Sequence, residues 1–148
     1  MISYEVPLSD ESDGQLKIDL FGYSDSSLEI VELKGGNNGK NNPLMALTEA
    51  ICYAIQLGRC GVPLLEPIRE VVPEVDDEFF DRIRITVAAP SKYWNHWDPN
   101  GTDMEGVIKQ MHQIVGQVNR AFEQKGRSTR ISLARAEITQ QGFEIKGP

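Results

Sequence analysis

The chain has 148 residues and a formal net charge of −7. That length predicts a single domain, 1–148, with a hydrophobic core of its own. Residues 1–13 lack the basic flank and apolar run of a signal peptide, and no later stretch is apolar over a membrane-spanning length. We therefore expect a cytoplasmic protein without a membrane partner. The acidic balance argues against a protein whose whole surface binds nucleic acid.

The first strong pattern along the chain predicts a β-hairpin. A short strand over 2–7 precedes it. Residues 17–21 alternate polar and apolar side chains, and residues 28–34 are β-branched and nearly continuous, so both segments predict strands. Turn-forming residues separate them, which places Asp25 and Ser26 at the tip of the loop. The two strands should therefore pair along most of their length.

An even-length loop fixes which residues of this hairpin face each other. Asp19 then lies directly across from Glu32, with the two Cβ atoms roughly 5 Å apart on one face. Because side chains alternate along a strand, Lys34 shares the Glu32 face and Leu33 points to the other, toward the core. The sequence thus predicts two carboxylates and a lysine that converge at the end of one hairpin.

This predicted cluster suits a divalent metal ion. Two carboxylates so close repel each other, and neither stays ionised in a half-buried site unless a cation compensates them. Oxygen ligands without thiolates or paired imidazoles suit a hard ion such as Mg²⁺ or Mn²⁺. The Lys34 ammonium is placed to orient or deprotonate an attacking water and to neutralise charge on a phosphate in the transition state. The pattern therefore predicts phosphodiester hydrolysis.

Asp19, the spacing after it and the run Glu32-Leu33-Lys34 resemble the signature of PD-(D/E)xK nucleases, the restriction-endonuclease-like superfamily. An isoleucine precedes the aspartate where the signature has proline. The resemblance covers roughly residues 15–97, with a C-terminal helix and hairpin over 102–146. It implies an α/β three-layer sandwich with a mixed central sheet and helices on both faces. It also implies a Mg²⁺- or Mn²⁺-dependent nuclease acting on nucleic acid, DNA more than RNA, with the ion held by Asp19, Glu32 and the backbone carbonyl of Leu33.

A helix is predicted over 43–57, with Pro43 in its first turn. A Gly/Asn-rich loop, 35–42, separates it from the hairpin. Lys40 in that loop is a candidate phosphate contact beside the metal, and the alternative is a plain connector, since no P-loop pattern is present. The core side of the helix is predicted to consist of Leu44, Leu47, Ile51, Ala54 and Ile55.

A second face of the same helix carries candidate site residues. Met45, Glu49, Tyr53 and Gln56 recur at intervals of three or four residues. Glu49 and Tyr53 resemble the Q-x-x-x-Y helix of the exonuclease-like branch, with Glu49 in the glutamine position. Glu49 is predicted to line the active site as a metal ligand or water-orienting group, with a surface carboxylate as the alternative. Tyr53 and Gln56 are predicted to support the site or to contact phosphate.

The middle of the chain supplies core elements. Prolines within 62–80 exclude a long helix and predict a connector. The apolar end of 82–89 predicts a strand buried on both faces in the middle of the sheet. Two tryptophans in 93–97 lie one helical turn apart. They are predicted to plug the end of the sheet, against the alternatives of base stacking or an acid-base role for His96.

The C-terminal part predicts a helix and a hairpin. A capping box and a regular apolar stripe predict an amphipathic helix over 102–125, whose stripe is either core or the seam of a homodimer. Residues 129–139 and 143–146 predict a closing hairpin. This part is also basic, which predicts either a nucleic-acid rim beside the acidic centre or a solvated surface formed by Lys109, Arg120, Lys125, Arg127, Arg130 and Arg135.

Two further features bear on the assignment. Cys52 and Cys60 lack zinc spacing and are predicted to be reduced packing residues. The N-terminus has no room for the helix that usually precedes the first core strand of the superfamily, so the fold is minimal, trimmed, or completed by another segment or subunit. Glu5 and Glu11 are candidates for the acidic residue that this helix often carries.

Three functions follow from the sequence in order of preference. The first is a metal-dependent nuclease. The second is a non-catalytic interaction protein, or a subunit of a larger assembly, with the same fold, because fold alone does not entail activity. The third is a metal-dependent hydrolase of small phosphorylated compounds.

Overall fold

The computed structural model describes residues 3–7, 17–24, 27–35, 42–60, 64–97, 99–100 and 106–146. The strands within these ranges are β1 Ser3–Pro7, β2 Lys17–Ser24, β3 Ser27–Leu33, β4 Arg82–Pro90, β5 Arg130–Thr139 and β6 Gly142–Lys146. The α-helices are α1 Pro43–Cys60, α2 Leu65–Val71, α3 Ser91–Trp97 and α4 Gly106–Gln124, and Phe79–Asp81 forms a 3₁₀ turn.

The six strands form one mixed sheet in which strand order equals chain order. β1, β2 and β3 are antiparallel neighbours, β3, β4 and β5 are parallel neighbours, and β6 is antiparallel to β5. The predicted α/β class with a mixed sheet is confirmed, and so are the central position of β4 and the closing hairpin. The described part of the chain shows the sheet and one helical layer of the predicted three-layer sandwich.

The register of the β2–β3 hairpin is the predicted one. Ser24 pairs with Ser27, and the ladder continues to Leu20 opposite Val31. The two residues of the predicted loop tip lie outside the described part of the chain. The predicted pair of Asp19 and Glu32 would follow directly after Leu20 and Val31, where the ladder ends.

Helix α1 forms where it was predicted and runs further, to Cys60. The side chain of Asn42 caps it: its Oδ1 accepts hydrogen bonds from the backbone N–H of Leu44 at 2.7 Å and of Met45 at 3.0 Å. In the predicted apolar stripe Leu47, Ile51 and Ala54 are buried, and Leu44 and Ile55 pack partly buried against the same cluster.

The packing role predicted for Cys52 is wrong. Its side chain is exposed and free, because it lies between two buried neighbours on a helix that presents its opposite side to the sheet. The side chain of Cys60 lies outside the described set.

The stripe along α4 is core. Ile108, Met111, Val115 and Phe122 are buried in the main hydrophobic cluster, to which α1 also contributes. The structure therefore resolves the choice between core and dimer seam. The capping box predicted at 102–105 lies outside the described residues.

The helices described in the structure lie on one side of the sheet. All four contribute buried side chains to the cluster that holds Ile30 and Val87, whereas Val31 and Ala88, on the opposite face, belong to a smaller one. The parallel strands step from β3 to β5 in one direction, and right-handed crossovers then place both long helices on the same face. The sequence predicted helices on both faces of the sheet. The helical layer on the second face is not found among the described residues.

The proline-rich connector contains the short helix α2, so the exclusion of a long helix is confirmed. Pro67 fits because it lies in the first turn, where the backbone N–H groups have no helical partner. The predicted plug at the end of the sheet is also confirmed: Trp94 is buried and its Nε1 donates to the carbonyl oxygen of Ala136 at 3.0 Å. Trp97 packs partly buried against the same cluster.

Among the described residues, no helix combines the length and apolar character needed to cross a membrane.

Candidate active site

The end of β3 places a buried lysine between two glutamates. The Lys34 Nζ donates to Glu32 Oε1 at 2.6 Å and to Glu49 Oε2 at 3.2 Å. The side chains of Lys34 and Glu32 are 9% and 6% exposed, whereas that of Glu49 is 44% exposed. Strand β3 thus carries the inner ion pair, and helix α1 brings Glu49 to its solvent side. The structure brings these three predicted residues together.

The Glu32 carboxylate is only half satisfied. Its Oε2 is buried and has no hydrogen-bond partner among the described residues. Burial raises the pKa of this carboxyl to about 7; the hydrogen bond from Lys34 opposes the rise, and the nearby charge of Asp19 adds to it. Buried carboxylate oxygens without a partner are costly, so this position calls for a ligand or a proton.

Lys34 keeps its proton in this environment. Burial acts to lower the pKa of the ammonium, but the hydrogen bond and charge of Glu32, together with those of Glu49, outweigh it and raise the pKa above the ordinary lysine value. Of the buried pair, Glu32 is therefore the group that changes its charge near neutral pH.

Asp19 lies at the edge of this cluster and contacts the backbone of β3. Its Oδ2 accepts a hydrogen bond from the backbone N–H of Leu33 at 2.8 Å. The ladder between β2 and β3 ends at Leu20 and Val31, one residue before Asp19. The carboxylate therefore takes a position that a main-chain carbonyl holds elsewhere in the hairpin, which fixes Asp19 relative to the strand that carries Glu32.

Two tyrosines border the acidic centre. Burial raises the pKa of Tyr53, and the charges of Glu32, Glu49 and Asp19 add to the rise. Tyr93, on α3, behaves similarly: burial raises its pKa and the charges of Glu32 and Glu49 contribute. Tyr53 was predicted as a site residue. Tyr93 was not predicted as a site residue, although β4, which precedes it, pairs in parallel with β3 and so ends at the same edge as Lys34.

The other predicted contact residues lie on or near α1. Gln56 is half-buried, and its Oε1 is buried without a hydrogen-bond partner in the described part of the chain. Met45 is 51% exposed, and with Leu44, Thr48 and Glu49 it lines a hollow of about 240 Å³ next to the ion pair. Lys40 and Glu11 lie outside the described residues, as does the side chain of Glu5.

The residues present fit a hard metal ion in part. No group of three or more His, Cys, Asp or Glu within the described ranges is arranged to hold a metal ion. Mg²⁺, however, usually keeps several waters and uses one or two protein carboxylates with substrate phosphate oxygens. The unpaired Oε2 of Glu32 and the nearby charge of Asp19 match that smaller requirement.

The residues of the predicted basic rim lie in two different environments in the structure. Lys109, Arg120, Lys125 and Arg127 are exposed on and after α4. Arg135 instead stacks on the ring of Trp94, with its guanidinium carbon 5.4 Å from the ring centroid. Helix α4, on or after which the exposed members lie, packs against β5 and against α1.

Scans against family models, curated proteins and solved structures find no match to this chain. The assignment to a nuclease superfamily therefore stays a prediction from the sequence, and the geometry of the described residues is what supports or opposes it.

Proposed function

We propose that this protein is a metal-dependent nuclease of the PD-(D/E)xK type, with the restriction-endonuclease-like form of the α/β fold. It hydrolyses phosphodiester bonds, and the preference for DNA over RNA rests on the resemblance. One observation carries the proposal: a buried lysine is clamped between two glutamates while one oxygen of the inner glutamate is left without a partner.

Asp19 and Glu32 are the residues that would hold Mg²⁺ or Mn²⁺, with the backbone carbonyl of Leu33 as the resemblance implies. The ion would supply Lewis-acid stabilisation of the charge on the scissile phosphate. The hydrogen bond from Leu33 N–H fixes the Asp19 carboxylate against the strand that carries Glu32. Burial of Glu32 excludes water from its inner side, so its unpaired oxygen has few competitors for a ligand.

Lys34 acts as a fixed cation and not as a base, because its pKa is raised. Its Nζ donates to Glu32 and Glu49, and when a phosphate approaches it can donate to a phosphate oxygen and neutralise charge that develops there. Glu49 is open to solvent and lies 3.2 Å from the lysine, so it is placed to orient the attacking water. In the reaction the water oxygen bonds to phosphorus and gives up a proton to solvent, while the bond from phosphorus to the leaving sugar oxygen breaks and that oxygen takes a proton from solvent.

The test is cleavage of single- and double-stranded DNA and of RNA with Mn²⁺ or Mg²⁺, with chelator as a blank. Lys34→Ala should abolish cleavage. Arg84→Ala is the matched control, because Arg84 is a cation on the next strand that pairs with Glu29. Equal cleavage by the wild type and Lys34→Ala would identify a contaminating nuclease and refute the proposal.

A second function is favoured by a specific observation. The charge of Lys34 is already compensated by Glu32 and Glu49, and the chain is acidic overall, with a net charge of −7. The lysine of such a centre needs neither an ion nor a phosphate to balance its charge, as in a non-catalytic interaction subunit of the same fold. Binding of nucleic acid or protein without cleavage by any metal tested would support this function. Turnover of nucleotides alone would support a hydrolase of small phosphorylated compounds.

A further inference from the structure

Helix α1 presents a concave apolar surface beside the ion pair of Lys34. Its first turns line a hollow of about 240 Å³ with Leu44, Met45, Thr48 and Glu49. Met45 is half-exposed there. A single exposed apolar side chain needs no explanation, but a concave apolar surface with a polar group at its edge is the usual form of a ligand site. The hollow is therefore a candidate binding site.

The hollow does not suit a phosphate group. Asn42 already engages the first amides of the helix, because its Oδ1 accepts from the backbone N–H of Leu44 and of Met45. The hydroxyl of Thr48 donates to the carbonyl oxygen of Leu44 at 2.7 Å. Among the described residues that line the hollow, the charged one is Glu49, which repels a phosphate. We therefore expect an uncharged occupant with apolar faces.

Glu49 connects the hollow to the acidic centre. Its Oε2 accepts from Lys34 Nζ at 3.2 Å, and the same side chain forms one wall of the hollow. A nucleotide carries a phosphate and a base on one sugar, so a phosphate next to Lys34 brings its own base to Met45. The flat face of a base packs well on a thioether, and stacking on side chains is a usual way of binding single strands.

We propose that the hollow beside Met45 is a nucleobase subsite, which binds the unpaired base of the nucleotide whose phosphate reacts. The inference rests on the proposed nuclease function, because the phosphate next to Lys34 is what brings the base to the hollow. A base inside a duplex is paired and stacked, and it has to leave the double helix before it can enter such a site. The substrate class is therefore single-stranded nucleic acid, including the unpaired ends of a duplex.

Binding of two single strands of equal length, an oligothymidylate and a sugar–phosphate strand without bases, tests this subsite. Fluorescence anisotropy in Ca²⁺ measures both, and a gel verifies that the strands stay intact. The wild type should bind the strand with bases about tenfold more tightly, within the range that stacking of a base on a side chain supplies. Met45→Ala should bring the two affinities within about twofold of each other, and Met45→Leu should keep most of the difference.

Leu64→Ala is the matched control, because Leu64 is another exposed large apolar residue and lies just before α2. It should keep the wild-type ratio of the two affinities. Met45→Ala should leave the melting temperature and the affinity for blunt duplex DNA unchanged, since the side chain is exposed and a paired base does not reach it.

The result separates this inference from the proposed nuclease function. Equal affinity of the wild type for the two strands, or the same ratio in Met45→Ala as in the wild type, would overturn the subsite while metal-dependent cleavage still supported the nuclease. A ratio that depends on Met45, without cleavage by any metal tested, would support the subsite and oppose the nuclease. Failure to bind either strand would overturn the subsite as well.

Discussion

Strand β3 carries two glutamates on opposite faces of the sheet, and they are treated very differently. Glu29 is satisfied at both oxygens: Oε1 accepts from Thr86 Oγ1 at 2.6 Å, and Oε2 accepts from Ser24 Oγ at 3.3 Å and lies 3.7 Å from Arg84 Nε. Glu32 is more deeply buried, shares one oxygen with Lys34 and leaves the other without a partner. The same residue type in the same strand thus has partners for both carboxylate oxygens on one face of the sheet and for only one oxygen on the other.

The difference shows what to look for in a site of unknown function. A carboxylate that neighbouring side chains satisfy fully stabilises the sheet and needs no ligand. A buried carboxylate with an unused oxygen, a raised pKa and a second acid nearby lowers stability unless something binds it. Functional carboxylates are therefore recognised by what they lack as well as by what they contact.

The most direct test of the difference between Glu32 and Glu29 is to neutralise each glutamate separately. Glu32→Gln should lower metal-dependent cleavage by about 10²–10³-fold, because it removes a charge that acts on the reacting phosphate. Glu29→Gln should leave cleavage within about threefold of wild type, because it only weakens a hydrogen-bond network on the other face. Initial rates with Mn²⁺ on a labelled DNA substrate measure both. Equal losses in the two variants would contradict the functional assignment of Glu32.

Removing the cation beside each glutamate, Lys34 or Arg84, should lower the free energy of unfolding by unequal amounts. Lys34→Ala leaves Glu32 buried and uncompensated and should lower the free energy of unfolding by about 3 kcal/mol near pH 8. Arg84→Ala removes a partly exposed ion pair from a glutamate with other partners and should cost about 1 kcal/mol or less. Urea denaturation followed by circular dichroism gives both values. A larger loss in Arg84→Ala would reverse the ranking of the two centres.

The raised pKa of Glu32 predicts that stability falls as pH rises. Between about pH 4.5, where the carboxyl ionises in the unfolded chain, and about pH 7, where it ionises in the folded one, the folded state holds the extra proton. The free energy of unfolding should therefore decrease by about 2 kcal/mol across this window, allowing for solvent screening. Saturating Mn²⁺ should abolish the decrease, because the ion favours the ionised form.

The variant that isolates this effect is Glu32→Gln, whose stability should be nearly flat over the same window relative to wild type. Glu29→Gln should keep the wild-type slope, since it leaves Glu32 in place. Denaturation at several pH values, with and without Mn²⁺, compares the three proteins. Parallel profiles for the wild type and Glu32→Gln would show that another group carries the pH dependence.

The smallest predicted effect concerns the hydroxyl of Tyr93. Tyr93→Phe should reduce cleavage by about threefold, because the buried ring stays in place and only a polar group near the carboxylates is lost. Tyr23→Phe, whose ring packs on Phe79 at a centroid distance of 5.8 Å, serves as the matched control and should not change the rate. A loss beyond about 100-fold would instead make Tyr93 a residue that contacts substrate.

Much of this fold could be predicted because its strongest signals are local. The hairpin register follows from alternation and a two-residue turn, and helix α1 follows from a proline in the first turn and an apolar stripe. The same local signals placed Lys34 on the Glu32 face. These local signals do not determine which face of the sheet each helix covers, because that depends on the spatial order of the parallel strands in the sheet.

The wrong prediction for Cys52 and the failure to predict Tyr93 as a site residue have the same origin. The exposure of Cys52 depends on which side of α1 meets the sheet, and a small apolar residue type is a weak guide to it. The proximity of Tyr93 to the acidic centre depends on the parallel pairing of β3 with β4, whose residues are far apart in the chain. A correct prediction of which strands are neighbours would have shown which face of the sheet the helices cover and that this tyrosine lies near the acidic centre.

The backbone N–H of Lys34 donates to the carbonyl oxygen of Ala88 at 2.9 Å. On the ribosome, Asp19, Glu32 and Lys34 emerge well before the strand that contains Ala88. A nascent chain that stops before Arg82 thus carries the whole signature but lacks the neighbouring strand on which the lysine is anchored. We expect Lys34 in such fragments to lack this hydrogen bond, so that the lysine and its two glutamates come together only once the central sheet closes.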